Sequence, residues 1–296
     1  MGNNLLTVQG HSGCQIEVIR DQNKLFIIKS TSDPKYFKRL ILQAKKQQNA
    51  SRHKMQFIRV PVIHEIIETE DGVAIRMDYI YSRNFVEFFE HAGFEQVNYL
   101  IDALIMFIEK EIEKSEYLAL PKNIITNKFD DVKLKIINNK FLQSKDYSKK
   151  IASLITKSDA IFQSLPPLLN LPVGTCHGDL TFSNILFNGN NYYLIDFLDS
   201  FIESPLLDIV KLRQDTAWQW SKFMYNGNFD NIRLKIAFGK IDTKIATHFL
   251  HYGWYREFYK PMQLMNFLRI LQYAHEKEVT DFLISSINSQ LSDLKA

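Results

Sequence analysis

The sequence has few cysteines and no long apolar run. Cys14 and Cys176 are its only cysteines, too few for a disulfide framework and without the spacing of a metal site. No stretch of about 18 apolar residues occurs, so no transmembrane helix is predicted. The first residues, MGNNLLTVQG, lack the basic and apolar regions of a signal peptide. We therefore expect a cytoplasmic protein without membrane insertion and with both thiols reduced.

The chain also lacks a large excess of charge of either sign. Its 36 basic and 33 acidic residues give a formal net charge of +3, which is too small to predict nucleic acid or an anionic membrane as a partner. Hydrophobic residues make up 46% of the chain, which excludes a disordered protein. Single cores stop growing near roughly 250–300 residues, so we expect the 296 residues to form two lobes.

The first eighty residues predict a small β-rich lobe. Clusters of β-forming residues, paired across polar turns, occur at Leu5–Val18, Lys24–Lys29, Val60–Glu68 and Val73–Ile80. After Asp33-Pro34, apolar residues recur at helical spacing. The predicted order is therefore β-β-β-α-β-β.

A change in composition at residues 81–83 marks the predicted boundary between lobes. From residue 84 onward helical periodicity dominates, and several helices are expected from residue 205 to the end. Residues 121–147 are rich in Asn and Lys with weak periodicity, and we interpret them as a small ribbon or a loop. We thus predict a nucleotide-binding lobe at 1–80, a hinge at 81–83, and a catalytic and acceptor-binding lobe at 84–296.

One stretch, Val173 to Phe197, carries the chemistry. It reads VGTCHGDLTFSNILFNGNNYYLIDF: a polar loop, a short apolar strand, an Asn-Gly turn and a second apolar strand. Asp179 lies in the loop, Asn184 just precedes the first strand, and Asp196 follows the second. Folding of that hairpin should bring Asn184 and Asp196 close together.

These residue types suit phosphoryl transfer. That reaction needs Mg²⁺ to offset phosphate charge and a carboxylate near the attacking hydroxyl. An amide oxygen from Asn184 and a carboxylate from Asp196 are ligands that Mg²⁺ accepts, and Asp179 is then left to accept the proton. The alternative is a hairpin with incidental turn-forming Asp and Asn residues, which explains each residue singly but not their combination.

The pattern D-x-x-x-x-N, followed by a strand ending in Asp-Phe, resembles the catalytic and metal loops of protein-kinase-like enzymes. The HGD form of the loop is similar to that of the aminoglycoside phosphotransferase and choline kinase family. The resemblance implies a bilobal α+β fold with a small β-rich lobe and a larger helical one. It also implies that Asp179 is the catalytic base and that Asn184 and Asp196 bind Mg²⁺. His177 would support the loop, and Asp208, in SPLLDIVKL, would brace it.

Candidate nucleotide-binding residues come from the first lobe and the hinge. The resemblance makes Lys29, at the end of LFIIK, the phosphate-binding lysine, although a surface lysine at a strand end is the simpler alternative. Backbone N–H groups of Ser12 and Gly13 would approach the phosphates, unless this short Gly-x-x-Gly is only a hairpin turn. Backbone groups of Asp78 and Ile80 would bind the base.

The sequence departs from the family at one position. In kinase-like enzymes the phosphate-binding lysine pairs with a Glu on the following helix, yet no Glu or Asp occurs from Pro34 to Ala50. Gln43 and Gln47 are the neutral side chains available to Lys29. Helical phase favours Gln47.

Acceptor-binding candidates are aromatic and acidic side chains that follow the hairpin: Asp199, Glu203, Asp215, Trp218, Trp254 and Glu257. Such residues can cage an amine or stack on a sugar ring. The run IDFLDSFIESPLLDIVKLRQD also resembles, more loosely, phosphotransferases associated with capsule biosynthesis, which favours a sugar or polyol.

Together these features predict an ATP- or GTP-dependent kinase that phosphorylates a hydroxyl of a small acceptor: a sugar or polyol, an amino alcohol or an aminoglycoside-like compound. One alternative is a protein kinase, but the sequence lacks A-P-E, and only eleven residues separate Asp196 from Asp208. The other is a nucleotide-binding pseudokinase scaffold, which the intact Asp179, Asn184 and Asp196 disfavour.

Overall fold

The strands near the N-terminus form one antiparallel sheet in the computed structural model, which describes residues 3–9, 14–52, 55–225 and 227–294. The elements are β1 (Asn3–Gln9), β2 (Gln15–Asp21), β3 (Lys24–Thr31), α1 (Pro34–Ser51), β4 (Ile58–Arg59), β5 (Ile63–Glu68) and β6 (Val73–Asp78). The sheet order is β1-β2-β3-β6-β5. The predicted order β-β-β-α-β-β is confirmed for the five strands of this sheet and α1, whereas the two-residue strand β4 was not predicted and pairs in parallel with Tyr192 and Tyr193 in a second sheet.

Helix α1 begins where the sequence predicts. Asp33 caps it by accepting a hydrogen bond from the Lys35 backbone N–H at 3.0 Å, and Pro34 occupies the first turn. Its apolar side packs on the sheet through Leu40 and Ala44. Three polar side chains of the helix are also buried: Gln43, Lys46 and Gln47.

The rest of the chain is mainly helical. Its elements are α2 (Phe85–His91), α3 (Phe94–Glu113), β7 (Glu116–Pro121), α4 (Asn123–Asn138), α5 (Ser148–Ser164), β8 (Leu168–Val173), β9 (Ile185–Asn188), β10 (Asn191–Leu194), α6 (Pro205–Thr216), α7 (Asn231–Phe249), α8 (Gly253–Leu271) and α9 (Lys277–Asp293). The α+β class is therefore confirmed. No helix among the described residues is long and apolar enough to cross a membrane.

The interpretation of residues 121–147 as a ribbon or loop is wrong. Most of the segment is helix α4, whose buried residues Ile125, Phe129, Val132 and Ile136 recur at helical spacing. The many Asn and Lys residues of this helix lie around a single narrow apolar stripe, and this is why its periodicity is weak. Strand β7 just before it pairs antiparallel with β8, a pairing that the sequence did not indicate.

Residue contacts divide the chain into two compact units. The first comprises Met1–Phe107, His177–Asp199 and Phe229–Leu234, and the second comprises Ile108–Cys176, Ser200–Asn228 and Lys235–Ala296. The first unit thus combines the N-terminal sheet and α1 with the β9–β10 hairpin. The lobe boundaries at 80 and 84 stay a prediction.

Candidate active site

The site is built on the β9–β10 hairpin of the first unit. The two strands pair antiparallel from Ile185 with Leu194 to Asn188 with Asn191, and Gly189 supplies the turn with a φ of +57°. The Ile195 N–H donates to the Asn184 carbonyl at 3.0 Å. The hairpin therefore brings the backbone of Asn184 next to that of Asp196, as predicted.

Asn184 is oriented by Asp179. Its amide nitrogen donates to the Asp179 carbonyl oxygen at 2.9 Å and to the Asp179 carboxylate at 3.0 Å. With the NH₂ group occupied in this way, the Asn184 side-chain oxygen has no donor among the described residues. This orientation leaves that oxygen available to a cation.

Lys29 reaches the same place from β3. Its Nζ lies 2.6 Å from Asp196 Oδ1, and Lys29 is buried while the Asp196 side chain is 45% exposed. Burial opposes the charge of Lys29, but the neighbouring Asp196 carboxylate outweighs it, so the pKa of Lys29 is raised. The predicted phosphate-binding lysine and metal-binding carboxylate therefore form an ion pair.

Asp196 has a left-handed backbone conformation, with a φ of +60°. Such a conformation is unfavourable for a non-glycine residue and persists only where neighbouring contacts enforce it. Two of those contacts are the Leu198 N–H, which donates to the His177 carbonyl at 2.9 Å, and the Lys29 ion pair.

His177 is fully buried and links the two halves of the site. Its Nδ1 accepts from the Asp179 N–H at 3.2 Å, so the ring proton is on Nε2, which lies 2.9 Å from the Ile195 carbonyl oxygen. Burial lowers the pKa of His177 to about 4. Phe197 packs beside the ring at 4.4 Å between centroids. His177 thus supports the loop as a neutral imidazole.

The structure explains why the middle residue of the HGD sequence is a glycine. Gly178 has a φ of +84°, and a Cβ atom there would lie 2.0 Å from the Leu198 carbonyl oxygen. Only glycine permits both the conformation and this close approach.

The residues present fit one Mg²⁺ ion carried with a nucleotide. No group of three or more His, Cys, Asp and Glu side chains among the described residues is arranged to hold a metal. Mg²⁺ at phosphate-transfer sites needs fewer protein ligands, because phosphate oxygens and waters complete its shell. The unpartnered oxygen of Asn184 and the half-exposed carboxylate of Asp196 match that requirement.

The expected bond between Lys29 and a glutamine is not observed. Gln47 Nε2 donates instead to the Pro61 carbonyl oxygen at 3.1 Å and lies 3.8 Å from Met77 Sδ. Neither polar atom of the buried Gln43 side chain has a partner in the described chain. Helical phase correctly predicted that Gln47 is buried, but the carbonyl after β4 is its acceptor.

The predicted nucleotide-binding residues are only partly within the described structure. Ser12 and Gly13 lie outside the described residues. The Asp78 N–H donates to the Val62 carbonyl at 3.0 Å and is therefore not available to a base. The Ile80 backbone has no partner among the described residues.

Two of the acceptor candidates are carboxylates that accept hydrogen bonds from nearby backbone N–H groups. Asp215 is fully buried and accepts from the Ser221 N–H at 3.0 Å, and Glu203 accepts from the Ser200 N–H at 2.7 Å. Both carboxylates therefore stabilise local backbone. Trp218 lines a cavity of about 360 Å³ in the second unit.

The other predicted residues differ in exposure. Trp254 is buried, whereas Asp199 and Glu257 are exposed. Asp208, predicted to brace the catalytic loop, is fully buried at the start of α6.

One residue of the site was missed from the sequence. Lys46 of α1 is buried, and its Nζ donates to the Leu198 carbonyl at 2.6 Å. Helical phase gave no signal for it, because at about 100° per residue Lys46 lies roughly 120° from Leu40 and roughly 100° from Gln47.

Comparison with known proteins supports the resemblance drawn from the sequence. Residues 139–229 match the model of the phosphotransferase enzyme family. No curated protein matches the chain. The family match supports an enzyme that transfers phosphoryl groups to an alcohol, as the sequence predicts.

Solved structures show the fold. A glucosamine kinase in complex with glucosamine, ADP and inorganic phosphate is 11% identical, with a TM-score of 0.60 over 97% of this chain and 83% of that one. A spectinomycin phosphotransferase bound to ADP and spectinomycin is 13% identical, with a TM-score of 0.52 over 98% and 92%. An aminoglycoside 3′-phosphotransferase of type VIII is 13% identical, with a TM-score of 0.51 over 99% and 93%. The predicted kinase-like fold is confirmed.

Proposed function

We propose that this chain, which matches the phosphotransferase enzyme family over residues 139–229, is a kinase for a small molecule. It transfers the γ-phosphoryl group of ATP or GTP to a hydroxyl of the acceptor. The observation that carries the proposal is the convergence of Lys29, Asp179, Asn184 and Asp196 within one compact unit.

Each of these side chains has a defined role in the proposal. Asp179 orients the acceptor hydroxyl and accepts its proton, and the neutral His177 holds the Asp179 backbone in place. Lys29 binds the phosphates of the donor as a point charge. Mg²⁺, held by Asn184 and Asp196, supplies neutralisation of the phosphate charge when it is bound.

The nucleotide base would lie against the end of β6 and the chain that follows it. The Asp78 carbonyl oxygen can accept from an exocyclic amine, and the Ile80 N–H can donate to a ring nitrogen. This donor and acceptor pair suits adenine, and GTP remains the alternative donor.

The acceptor we propose is an amino sugar or a related aminocyclitol. Two of the similar structures contain an acceptor, glucosamine in one and spectinomycin in the other. The exposed carboxylate of Asp199, three residues after Asp196 in the same unit, offers a partner for an ammonium group. The other acceptor classes predicted from the sequence, sugars or polyols and amino alcohols, are compared with amino sugars in the same assay.

The experiment is a panel assay of ADP and GDP formation with amino sugars, neutral sugars, polyols, amino alcohols, aminoglycosides and a generic protein substrate. A phosphorylated small molecule, identified by mass spectrometry, is the expected product. A phosphorylated protein would replace the proposal with a protein kinase. Nucleotide binding without turnover on any acceptor would favour a pseudokinase.

A further inference from the structure

Helix α1 presents a buried lysine to the active-site hairpin. Lys46 is 8% exposed, and its Nζ donates to the Leu198 carbonyl oxygen at 2.6 Å across 152 positions of sequence. A cation is seldom buried unless it has a partner. Lys45, its neighbour in the same helix, is exposed.

The backbone of Leu198 is a junction of the site. Its N–H donates to the His177 carbonyl, and its carbonyl oxygen approaches Gly178 so closely that a Cβ would lie 2.0 Å away. The same oxygen accepts from Lys46. Leu198 thus joins the catalytic loop, the metal-binding segment and α1.

This junction lies two residues after Asp196, whose φ of +60° must be enforced by its surroundings. The ion pair with Lys29 acts on the Asp196 side chain. The bond from Lys46 acts on the backbone that follows it. A charged donor holds a carbonyl more firmly than a neutral donor does.

We propose that Lys46 is a positioning residue that fixes the segment Asp196–Leu198 against α1 and so holds the Asp196 carboxylate in place. It would supply the link between this helix and the site that a Lys–Glu pair supplies in kinase-like enzymes, because α1 contains no Glu or Asp. The effect on nucleotide binding rests on the proposed function, whereas the effect on the order of the segment does not.

The first test is hydrogen exchange in the full chain with Lys46→Met, Lys46→Arg and Lys45→Met. Methionine keeps the apolar stem and removes the charge, arginine keeps the charged donor, and Lys45→Met is the matched control on the exposed side. We expect Lys46→Met to increase exchange of residues 195–200 at least tenfold, while Gln15–Thr31 keep wild-type protection. Lys46→Arg should restore part of the protection.

Equal exchange at 195–200 in Lys46→Met and Lys45→Met would overturn the proposal. A uniform rise in the hydrogen exchange of Lys46→Met across Gln15–Thr31 and residues 195–200 would also overturn it. That result would indicate a general loss of stability and not a loss of positioning.

The second test is calorimetry of ADP binding with and without Mg²⁺. Lys46→Met should weaken the Mg²⁺-dependent part of the affinity at least fivefold, and Lys45→Met should leave it unchanged. An unchanged affinity in Lys46→Met, with wild-type binding intact, contradicts positioning of Asp196. If the wild type itself shows no Mg²⁺-dependent binding, the proposed function fails, and the exchange result alone decides the role of Lys46.

Discussion

Lys29 Nζ lies 2.6 Å from Asp196 Oδ1, so the predicted phosphate-binding cation and the predicted metal-binding anion are paired with each other. The two residues are 167 positions apart: Lys29 is on β3, and Asp196 is the second residue after β10. Because α1 has no Glu to pair with Lys29, the carboxylate partner of this lysine comes from Asp196, which follows the hairpin. One oxygen of Asp196 is thereby held by protein before any substrate binds.

The first prediction concerns that pair. Asp196→Asn removes the anion beside a buried cation and the charged metal ligand together. We expect Mg²⁺-dependent ADP affinity to fall at least tenfold, together with a loss of about 1 kcal/mol in the free energy of unfolding, small because Asp196 is half-exposed. Calorimetry and chemical denaturation measure the two effects.

The control for this change is Asp71→Asn, an exposed carboxylate of the turn between β5 and β6. It should alter neither quantity. Unchanged Mg²⁺-dependent affinity in Asp196→Asn would remove this residue from the metal site.

The second prediction is a loss of stability in acid that depends on His177. Its pKa is about 4 in the folded chain, against about 6.5 when unfolded. Between these values the unfolded chain binds a proton at His177 that the folded chain does not. The contribution of His177 to the free energy of unfolding is therefore fully present above pH 6.5 and is lost as the pH falls towards 4. The loss amounts to about 3 kcal/mol.

Urea unfolding at pH 7 and pH 4.5 measures this loss. His177→Gln, which cannot titrate, should be less stable than wild type at pH 7 and should lose less stability between the two pH values. An equal loss in both proteins would contradict a buried neutral His177.

The third prediction separates two glycines with positive φ. An added Cβ at Gly178 meets the Leu198 carbonyl oxygen, whereas one at Gly189 meets nothing within 4 Å. Gly189→Ala should therefore cost only the conformational term of about 1–2 kcal/mol. Gly178→Ala should cost clearly more and should also reduce turnover, because it displaces the segment after Asp196. Equal costs would show that the contact is not rigid.

The fourth prediction compares the two glutamines of α1. Gln43 has no partner for its buried amide, so Gln43→Met should be neutral or should stabilise the protein by about 1 kcal/mol. Gln47→Met leaves the Pro61 carbonyl without its donor and should destabilise by about 1–3 kcal/mol. Thermal unfolding of both variants gives the comparison. A reversed order would mean that Gln43 has the structural bond.

Much of the site was predictable because it is local in sequence. Asp179, Asn184 and Asp196 lie within 18 positions, and an Asn-Gly turn between two apolar strands fixes their approach. The N-terminal strands and α1 were predictable for the same reason, since alternation, turns and a cap define them.

What could not be predicted depends on contacts between distant parts of the chain. The partners of Lys29 and Lys46 lie more than 150 positions away, and no local pattern marks a carbonyl as an acceptor. Residue type alone also did not indicate that the buried Asp215 carboxylate accepts from the Ser221 backbone N–H. Helix α4 was not predicted, because polar residues surround its narrow apolar stripe and weaken the helical periodicity.

The most direct test of the account is the turnover of Asp179→Asn with an acceptor from the panel. The amide is isosteric and keeps an oxygen that can accept from Asn184, so the loop should keep its structure. We predict that kcat falls by about 10²–10⁴-fold while calorimetry shows unchanged Mg²⁺-dependent ADP affinity. Near-normal kcat, with the phosphorylated acceptor still formed, would contradict the assignment of Asp179 as the base.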